Sequence, residues 1–323
     1  MKQLYNEAIK EEYLSTLPEN TAKIYRYAFY RSFDHEDMLK KDLYDFTTEE
    51  VIDVIKSANH STLNSIKLTF NVFENYIDWA AKYRVSNINP LSSVNLNELK
   101  AYLDTSKKLF LSEDELIDLE NQMVNAQDKI CFRLIFEGAL GHKNSELVNL
   151  TSDSVIGNKL KLKDDKRGER EITVSDRCLE LIEAALNENE YYTKNGTSET
   201  RRGSFEVISG NYVIRSTRTG RVNSESGRAD THAIYRRMTT IKELFNLPYL
   251  NPKNIRSSGM IKMAKDLYEQ YGKLENEQLS EIADHFGVQK VSMNGYEIYN
   301  YSYLRETINA ENIMDLYGVN IEG

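Results

Sequence analysis

The sequence predicts a mainly α-helical protein in two domains, with a small three-stranded antiparallel sheet. Apolar residues recur at helical spacing through most of the chain, and a period of two is confined to residues 154–176. A stretch rich in Asn and Ser and containing Pro90 follows the first group of helices. The 323 residues are enough for two domains.

The first ninety residues are typical of a small helical bundle. "NTAKIYRYAFYRSF" follows Pro18 and has apolar residues at helical spacing. "TTEEVIDVIKSA" begins with Thr47 and Glu50 at the spacing of a capping box. A third helix, "STLNSIKLTFNVFENYIDWAAKY", begins after Ser61 or Thr62 and carries one apolar stripe, which we interpret as core. We therefore assign residues 1–90 to a helical domain.

Residues 91–108 are the expected linker, and a second domain is expected over 109–323. This domain opens with a capping box of Ser112 and Glu115. A hairpin turning at Gly157-Asn158 and a strand in "REITVSD" supply the sheet. The stretch "FEVIS" indicates a further brief strand between polar loops. Helices are predicted over residues 177–191, 231–247, 255–272 and 277–286.

Composition excludes several classes of protein. Cys131 and Cys178 form no CxxC pair, which argues against a disulfide framework or thiolate metal site and fits a reducing cytoplasm. Five histidines and no HExxH motif predict no metal, and no glycine-rich phosphate loop implies a nucleotide cofactor. The most apolar run, "ICFRLIFEGAL", is too short to span a membrane and contains two charges.

Charge is distributed unevenly along the chain. The net charge is −9, but residues 191–256 hold twelve Lys and Arg against five Asp and Glu. Residues 266–323 hold three Lys and Arg against eleven Asp and Glu. The basic segment indicates a local site for a polyanion. An equally simple interpretation is a solvated basic loop beside an acidic surface.

The order of these elements resembles the tyrosine recombinase, or phage integrase, family over nearly the whole chain. "NTAKIYRYAFYRSF" and "STLNSIKLTFNVFENYIDWAAKYRVSNINPL" are similar to helices of that family's core-binding domain, and the part from "LSEDEL" onward is similar to its catalytic domain. The resemblance implies a two-domain clamp around duplex DNA. In this family a tyrosine attacks phosphorus while two arginines hold the phosphate, and a lysine and two histidine-type residues handle protons and charge.

Several family positions hold other residues in this sequence. In "GHKNSEL" Lys143 stands in the place of the first arginine, which loses a bidentate phosphate clamp but keeps the charge. In "NPKNIRSSG" Arg256 matches the second arginine and Lys253 replaces the histidine. In Phe286-Gly287-Val288, Val288 replaces a second histidine and can do no acid–base work.

The remaining family positions are ambiguous. The family lysine aligns near Asp165, so Lys163 and Lys166 are both candidates, although two aspartates at that turn would repel a phosphate. The nucleophile would lie about ten residues beyond Gly287, between Tyr296 and Tyr299. For both tyrosines we favour ordinary packing. His142 and His285 are expected to lie away from the chemistry.

The resemblance therefore implies a clamp that holds DNA without cutting it. Within the family the chain is similar to the catalytically inactive, integrase-fold repressors of SPβ-like Bacillus phages, which maintain lysogeny. The expected partners are operator sites in a phage genome, a second copy through the C-terminal segment and a phage-encoded regulator, with no membrane. The expected DNA contacts are Thr62, Asn64, Lys67, Lys143, Lys163, Lys166, Arg167, Arg218, Arg221, Lys253 and Arg256.

Two alternatives stay open. The first is an active or weakly active site-specific recombinase with a divergent site. The second is a protein-interaction module that no longer binds DNA, which the acidic C-terminal segment makes conceivable. A steep fall of DNA affinity with salt would argue against the interaction module, because phosphate contacts release counterions.

Overall fold

The computed structural model describes residues 3–83, 88–96, 98–103, 108–199, 202–218, 226–293 and 295–321. The chain divides after Lys108 into two compact units. Leu91 and Leu99 are buried in the core of the N-terminal unit. The described part of the stretch expected to be a linker therefore packs, at these two positions, with the helical domain.

The described N-terminal unit is a bundle of four α-helices. Thr47 and Glu50 form the capping box that the sequence predicts, and Thr62 caps the fourth helix by accepting a hydrogen bond from the backbone N–H of Ser65. The aromatic residues of the fourth helix, including Phe73, are buried as core. The helices are α1 (Glu7–Ser15), α2 (Glu19–Leu39), α3 (Thr48–Ser57) and α4 (Leu63–Trp79).

A charged cluster lies inside this bundle. The Lys10 ammonium is fully buried and lies 2.6 Å from a Glu36 carboxylate oxygen and 3.4 Å from one of Asp42. Tyr76 donates its hydroxyl to Asp42 at 3.0 Å. Because buried charges are tolerated only with partners, this cluster fixes how α1, α2 and the turn at Asp42 meet.

The C-terminal unit is built around helix α6, which packs against α8 and α10. The predicted capping box of Ser112 and Glu115 opens its first helix. The described helices are α5 (Glu113–Gln122), α6 (Ala126–Phe136), α7 (Ser145–Asn149), α8 (Asp176–Asn187), α9 (Thr231–Leu244), α10 (Pro252–Tyr271), α11 (Asn276–His285), α12 (Tyr301–Arg305) and α13 (Ala310–Tyr317). None of the described helices is both long and apolar enough to cross a membrane.

The predicted three-stranded sheet is present, in the order β1-β2-β3 and antiparallel throughout. Its strands are β1 (Val155–Ile156), β2 (Lys159–Asp164) and β3 (Gly168–Thr173). Leu160 pairs with Ile172 and both face the core, whereas the lysines of β2 alternate outward. This alternation sets the register of β3, and so fixes which of its side chains face the neighbouring helices.

The prediction of helix to residue 191 is wrong. Helix α8 ends at Asn187, and β4 (Glu190–Tyr192) pairs with β5 (Ser204–Glu206), the strand predicted in "FEVIS". The buried guanidinium of Arg215 donates to the backbone carbonyls of Ala185, Leu186 and Glu188, which ends the helix by satisfying its last carbonyls.

One further hairpin was not predicted. Strands β6 (Val291–Met293) and β7 (Tyr296–Ile298) pair with each other directly after helix α11. They lie in the connection between Gly287 and the short helix α12, which bears on where the family's tyrosine falls.

Candidate functional site

A pocket of about 220 Å³ lies where the three-stranded sheet meets helices α10 and α11. Three arginines line it: Arg167 from the β2–β3 turn, Arg170 from β3 and Arg256 from α10. Carboxylates also line it, so its charge is mixed. The other lining residues are Leu140, Gly141, Glu146, Asp164, Gly168, Glu169, Phe286, Gly287 and Gln289.

Arg256 is placed by the first turns of α10. Asn251 caps this helix with its side chain, and Pro252 occupies the first turn. The Arg256 guanidinium donates to the Phe286 carbonyl at 2.5 Å, and its buried Nε meets no acceptor among the described residues. Burial, followed by repulsion from Arg170 and Arg167, lowers the pKa of Arg256. A half-buried, incompletely bonded guanidinium in a pocket is suited to hold an anion.

Arg170 is held rigidly beside it. Its Nε and Nη2 donate to the two carboxylate oxygens of Glu146 at 2.6 and 2.7 Å. Its Nη1 donates to the His285 carbonyl at 2.5 Å and Nη2 to that of Gly138 at 2.7 Å. Arg170 therefore joins β3, α7, the turn after α6 and the end of α11. With most of its donors used, it contributes charge to the pocket more than new hydrogen bonds.

Asp164 connects the loop that carries Lys143 with the β2–β3 turn that carries Lys166. Its carboxylate accepts the backbone N–H of His142 at 2.6 Å, of Lys166 at 2.7 Å and of Arg167 at 3.1 Å. Burial opposes ionisation of Asp164, but these backbone hydrogen bonds outweigh it and lower its pKa. Asp164 stays charged and lines the pocket, while the neighbouring Asp165 is exposed and accepts a hydrogen bond from Asn149, so the expectation that these aspartates repel a phosphate stays a prediction.

Asp164 thus brings the loop of Lys143 next to the turn of Lys166. Lys143 has a left-handed backbone, with φ of 53°, and its side chain is exposed. Lys166 on the turn and Lys253 on the first turn of α10 are exposed too. None of these three ammonium groups has a hydrogen bond or ion pair with any residue in the described ranges. Lys163 is exposed on β2, opposite Glu169.

Neither of the family's two histidine positions, Lys253 and Val288, holds a histidine, and the nearby His285 lies outside the pocket. Val288 packs against the apolar cluster of the C-terminal helices. His285 is half-buried, donates from Nε2 to the Glu137 carbonyl at 2.9 Å and does not line the pocket. Burial lowers the pKa of His285, so the neutral ring is favoured at this place.

The structure separates the tyrosines of "NGYEIYNYSY". Tyr299 is 6% exposed and donates its hydroxyl to Asp284. Tyr296 lies on β7 and is 75% exposed. Tyr303, on α12, is 47% exposed and near enough to Arg256 to act on the pKa of that guanidinium. Sequence reasoning missed Tyr303 because the hairpin β6–β7 lies between Gly287 and α12. The helix cap at Asn300 is the sequence signal that could have predicted the short helix α12 and, on it, Tyr303.

Helix α4 holds the expected contacts of the N-terminal unit. Thr62 is occupied as the helix cap, while Asn64 and Lys67 are half-buried on the first turns. The exposed residues further along the same face are Leu68, Asn71, Asn75 and the acidic Asp78. The outward face of α4 therefore extends beyond the residues that the sequence singled out.

The basic segment, residues 191–256, exposes fewer cations than its composition suggests. Arg215 and Arg237 are buried, and Arg237 lies 3.8 Å from the Asp128 carboxylate. Arg218 is exposed and pairs with Glu206 at 3.0 Å. Arg221 lies outside the described residues. Buried arginines serve the fold, so the segment's net charge overstates the positive charge at its surface.

Family models match both units of the chain. The model described as "MrpR, N-terminal core-binding domain" matches residues 4–82, and that described as "MrpR, C-terminal catalytic domain" matches residues 110–318. The chain belongs to the MrpR family. A relative from Bacillus subtilis strain 168, the SPbeta prophage-derived uncharacterized protein YopR, is 34% identical over 321 residues and covers 97% of each chain. The chain is thus an integrase-fold protein of the kind found in SPβ-like phages.

Solved structures show the same fold for this MrpR family member. The integrase of transposon Tn1549, in complex with circular intermediate DNA, superposes with a TM-score of 0.51 at 11% identity, covering 95% of this chain and 96% of that one. The same integrase with transposon right end DNA gives 0.51 at 11% identity, over 97% and 99%. The tyrosine-recombinase fold predicted from the sequence is confirmed.

Proposed function

We propose that this chain is a sequence-specific, double-stranded DNA-binding transcriptional repressor that holds its operators without cleaving them and maintains phage lysogeny. One observation carries the proposal. Arg256 and three lysines that have no partner in the described part of the chain, Lys143, Lys166 and Lys253, occupy or neighbour the family's phosphate-handling positions. Val288 occupies a histidine position. Positive charge is retained where a phosphate would lie, and the proton-transfer groups are lost.

Holding and cutting depend on different properties of these side chains. Ground-state DNA binding depends chiefly on how many phosphates are neutralised, which a lysine does nearly as well as an arginine. Cleavage depends on arginine guanidinium groups that are preorganised to donate hydrogen bonds to the transition state. Removing one such donor costs about 3 kcal/mol of transition-state stabilisation. A lysine at position 253 is protonated near neutral pH, so it makes a poor proton relay. The substitutions therefore reduce catalysis far more than binding.

The proposed contacts divide between the two units. In the N-terminal unit, Asn64 and Lys67 on the face of α4 would reach base edges and backbone. In the C-terminal unit the cations at the pocket and on the neighbouring turns would neutralise phosphates. The contacts of the second group are Lys143, Lys163, Lys166, Arg167, Arg218, Lys253 and Arg256.

The prophage origin of a 34% identical relative supports the phage context of the proposal. The Tn1549 integrase of the same fold was solved with DNA, which supports a duplex as the ligand. Arg167, Arg170 and Arg256 converge on one pocket, as a polyanion site requires.

Capture of genomic DNA tests the proposal. Fragmented DNA of the source genome and its resident phages is incubated with the full chain, and retained fragments are sequenced before and after an SDS wash. We expect a few discrete fragments, near phage promoters, that are all lost in SDS. Retention that is uniform across the genome, or absent, would overturn sequence-specific binding. Fragments that survive SDS would show a covalent phosphotyrosine and overturn the claim of no cleavage.

Tyr303 favours one second candidate, an active recombinase with a divergent site. Tyr303 is half-exposed on a short helix, and its electrostatic interaction with the Arg256 guanidinium opposes the lowering of that group's pKa. A Tyr303→Phe variant decides between the two, with Tyr296→Phe as the matched control on the exposed hairpin. If the wild type forms an SDS-stable adduct that Tyr303→Phe abolishes, the recombinase is correct. If no adduct forms and both variants bind DNA equally, the repressor stands.

A further inference from the structure

Helix α4 carries one stripe of side chains along its outward face. The α4 stripe consists of Asn64, Leu68, Asn71 and Asn75, which recur every three or four residues and so lie on one side of the helix. Leu68 is 50% exposed, and Asn71 and Asn75 are exposed as well. At a rise of about 1.5 Å per residue the stripe is about 16 Å long, which is the length of about five base-pair steps.

The exposed amides of the stripe are held differently. Asn71 makes no hydrogen bond with any residue in the described ranges, so its amide oxygen and N–H groups are open to a ligand. Asn75 donates from Nδ2 to the Tyr25 hydroxyl of α2 at 3.1 Å, which occupies part of that amide. The centre of the stripe is therefore an open amide, Asn71, three residues after an exposed aliphatic side chain, Leu68.

This composition fits base edges better than a protein surface. The cores of protein interfaces are enriched in aromatic residues, methionine and arginine. The α4 stripe instead offers three amides and a single leucine. In the major groove, asparagine pairs with the N6 and N7 edge of adenine, an apolar side chain contacts the methyl group of thymine, and guanine is read chiefly by arginine or lysine. The stripe therefore matches A·T pairs.

Charges around the stripe favour its N-terminal half for this contact. Lys67 lies beside Leu68, and the exposed Arg31 of α2 donates to Thr69 at 3.5 Å, so two cations can meet phosphates at the edges of the stripe. The first turn of a helix also carries a partial positive charge. At the other end Asp78, which accepts a hydrogen bond from Asn89 at 2.7 Å, would repel phosphates.

We infer that α4 reads A·T base pairs in the major groove, with Asn71 bonded to the edge of an adenine and Leu68 against the methyl group of a thymine. The inference rests on the proposed function and adds which bases the operator presents to this helix. Side chains three residues apart on a helix have Cβ atoms about 5–6 Å apart, which corresponds to one or two base-pair steps of about 3.4 Å. The adenine and the thymine therefore belong to adjacent or next-nearest base pairs.

Base analogues test the inference on the full chain. The wild type first selects its sites from a random library of short DNA duplexes, and the selected duplex is then synthesised with one analogue at a time. Uracil in place of the contacted thymine should weaken binding about fourfold, the equivalent of about 0.8 kcal/mol for one buried methyl group. In place of the contacted adenine, 7-deazaadenine, which lacks the N7 acceptor, should weaken binding about tenfold.

Variants assign each effect to a side chain. Leu68→Ala should bind the thymine and uracil duplexes equally, and Asn71→Ala should bind the adenine and 7-deazaadenine duplexes equally, because the partner of the altered group is already gone. Met38→Ala removes another exposed apolar side chain of the N-terminal unit, and should respond to both analogues as the wild type does.

Two results would overturn the inference and leave the proposed function in place. One is sequence-specific binding that no uracil and no 7-deazaadenine weakens, since the stripe would then face something other than A·T edges, such as a protein surface. The other is an analogue effect that is as large in Leu68→Ala and Asn71→Ala as in the wild type. A wild type that selects no sequence at all would instead overturn the proposed function, and this inference with it.

Discussion

Replacing Arg170 by methionine should destabilise the C-terminal unit strongly. Glu146 is only 3% exposed, and its carboxylate would keep one hydrogen bond, from the backbone N–H of Leu140 at 2.8 Å. Removing one partner of a buried ion pair costs about 3–5 kcal/mol. The carbonyls of Gly138 and His285 would also lose their donor, at about 1–3 kcal/mol each when water does not replace it. Because the pocket admits water, we expect a total of about 4 kcal/mol.

Urea unfolding measures this cost unit by unit. The single tryptophan, Trp79, lies in the N-terminal unit, so its fluorescence reports that unit alone. Circular dichroism reports both units. Arg170→Met should move the transition of the C-terminal unit to lower urea and leave the tryptophan transition in place. Lys159→Met, which breaks an exposed pair with Glu171 on the same sheet, should cost under about 1 kcal/mol.

A double variant separates the loss of the pair from the loss of packing. Glu146→Gln added to Arg170→Met removes the stranded carboxylate, and the glutamine amide oxygen can still accept from Leu140. Much of the lost stability should return, because removing both partners of a buried pair is often close to neutral. If Arg170→Met unfolds at the wild-type urea concentration, or the double variant is no more stable than the single one, the Arg170–Glu146 pair does not hold this pocket together.

Three further predictions concern the substituted family positions and the nearby His285. Lys143→Ala and Lys253→Ala should each lower the slope of log affinity against log salt by about 1, measured by fluorescence anisotropy on an operator; an unchanged slope would remove that lysine from the contacts. Burial lowers the pKa of His285, so the unfolded chain takes up a proton first as pH falls through about 6.5, and thermal stability should fall from pH 7.5 to 5.5. The loss of thermal stability between these two pH values should be smaller in His285→Gln than in the wild type, and unchanged in a control, His232→Gln, at an exposed histidine. An equal loss in His285→Gln and the wild type would contradict this prediction. Lys143→Arg/Lys253→His/Val288→His should yield SDS-stable DNA adducts where the wild type gives none, and a variant without adducts would show that more than these groups was lost.

Sequence reasoning located most of the fold because its signals were local. The capping boxes at Thr47 and Ser112, and the turn at Gly157, fix where elements begin irrespective of the rest of the chain. The end of helix α8 was misplaced because Arg215, far along the chain, satisfies its last carbonyls. The sequence pattern of α8 itself contains no sign of a hydrogen-bond partner that lies so far along the chain.

The site was less predictable, since it depends on contacts between distant segments. Arg170 was not singled out, because one arginine on an amphipathic strand reads as a solvent-facing charge. Only the register of β3 places it against Glu146. Tyr303 was not singled out because the extra hairpin β6–β7 lies between Gly287 and α12.

If the proposed function is correct, the pattern of substitution explains how one fold can keep a DNA surface while losing chemistry. Charge acts over several ångströms, so lysines at positions 143 and 253 still attract a phosphate without a fixed geometry. Transition-state stabilisation requires donors fixed to within fractions of an ångström and groups that titrate near neutral pH. Arg170, Glu146 and Asp164 still fix the surrounding loops. These contacts form a rigid frame around the pocket, and under the proposed function what differs from an active recombinase is the set of side chains that would act on a phosphate there.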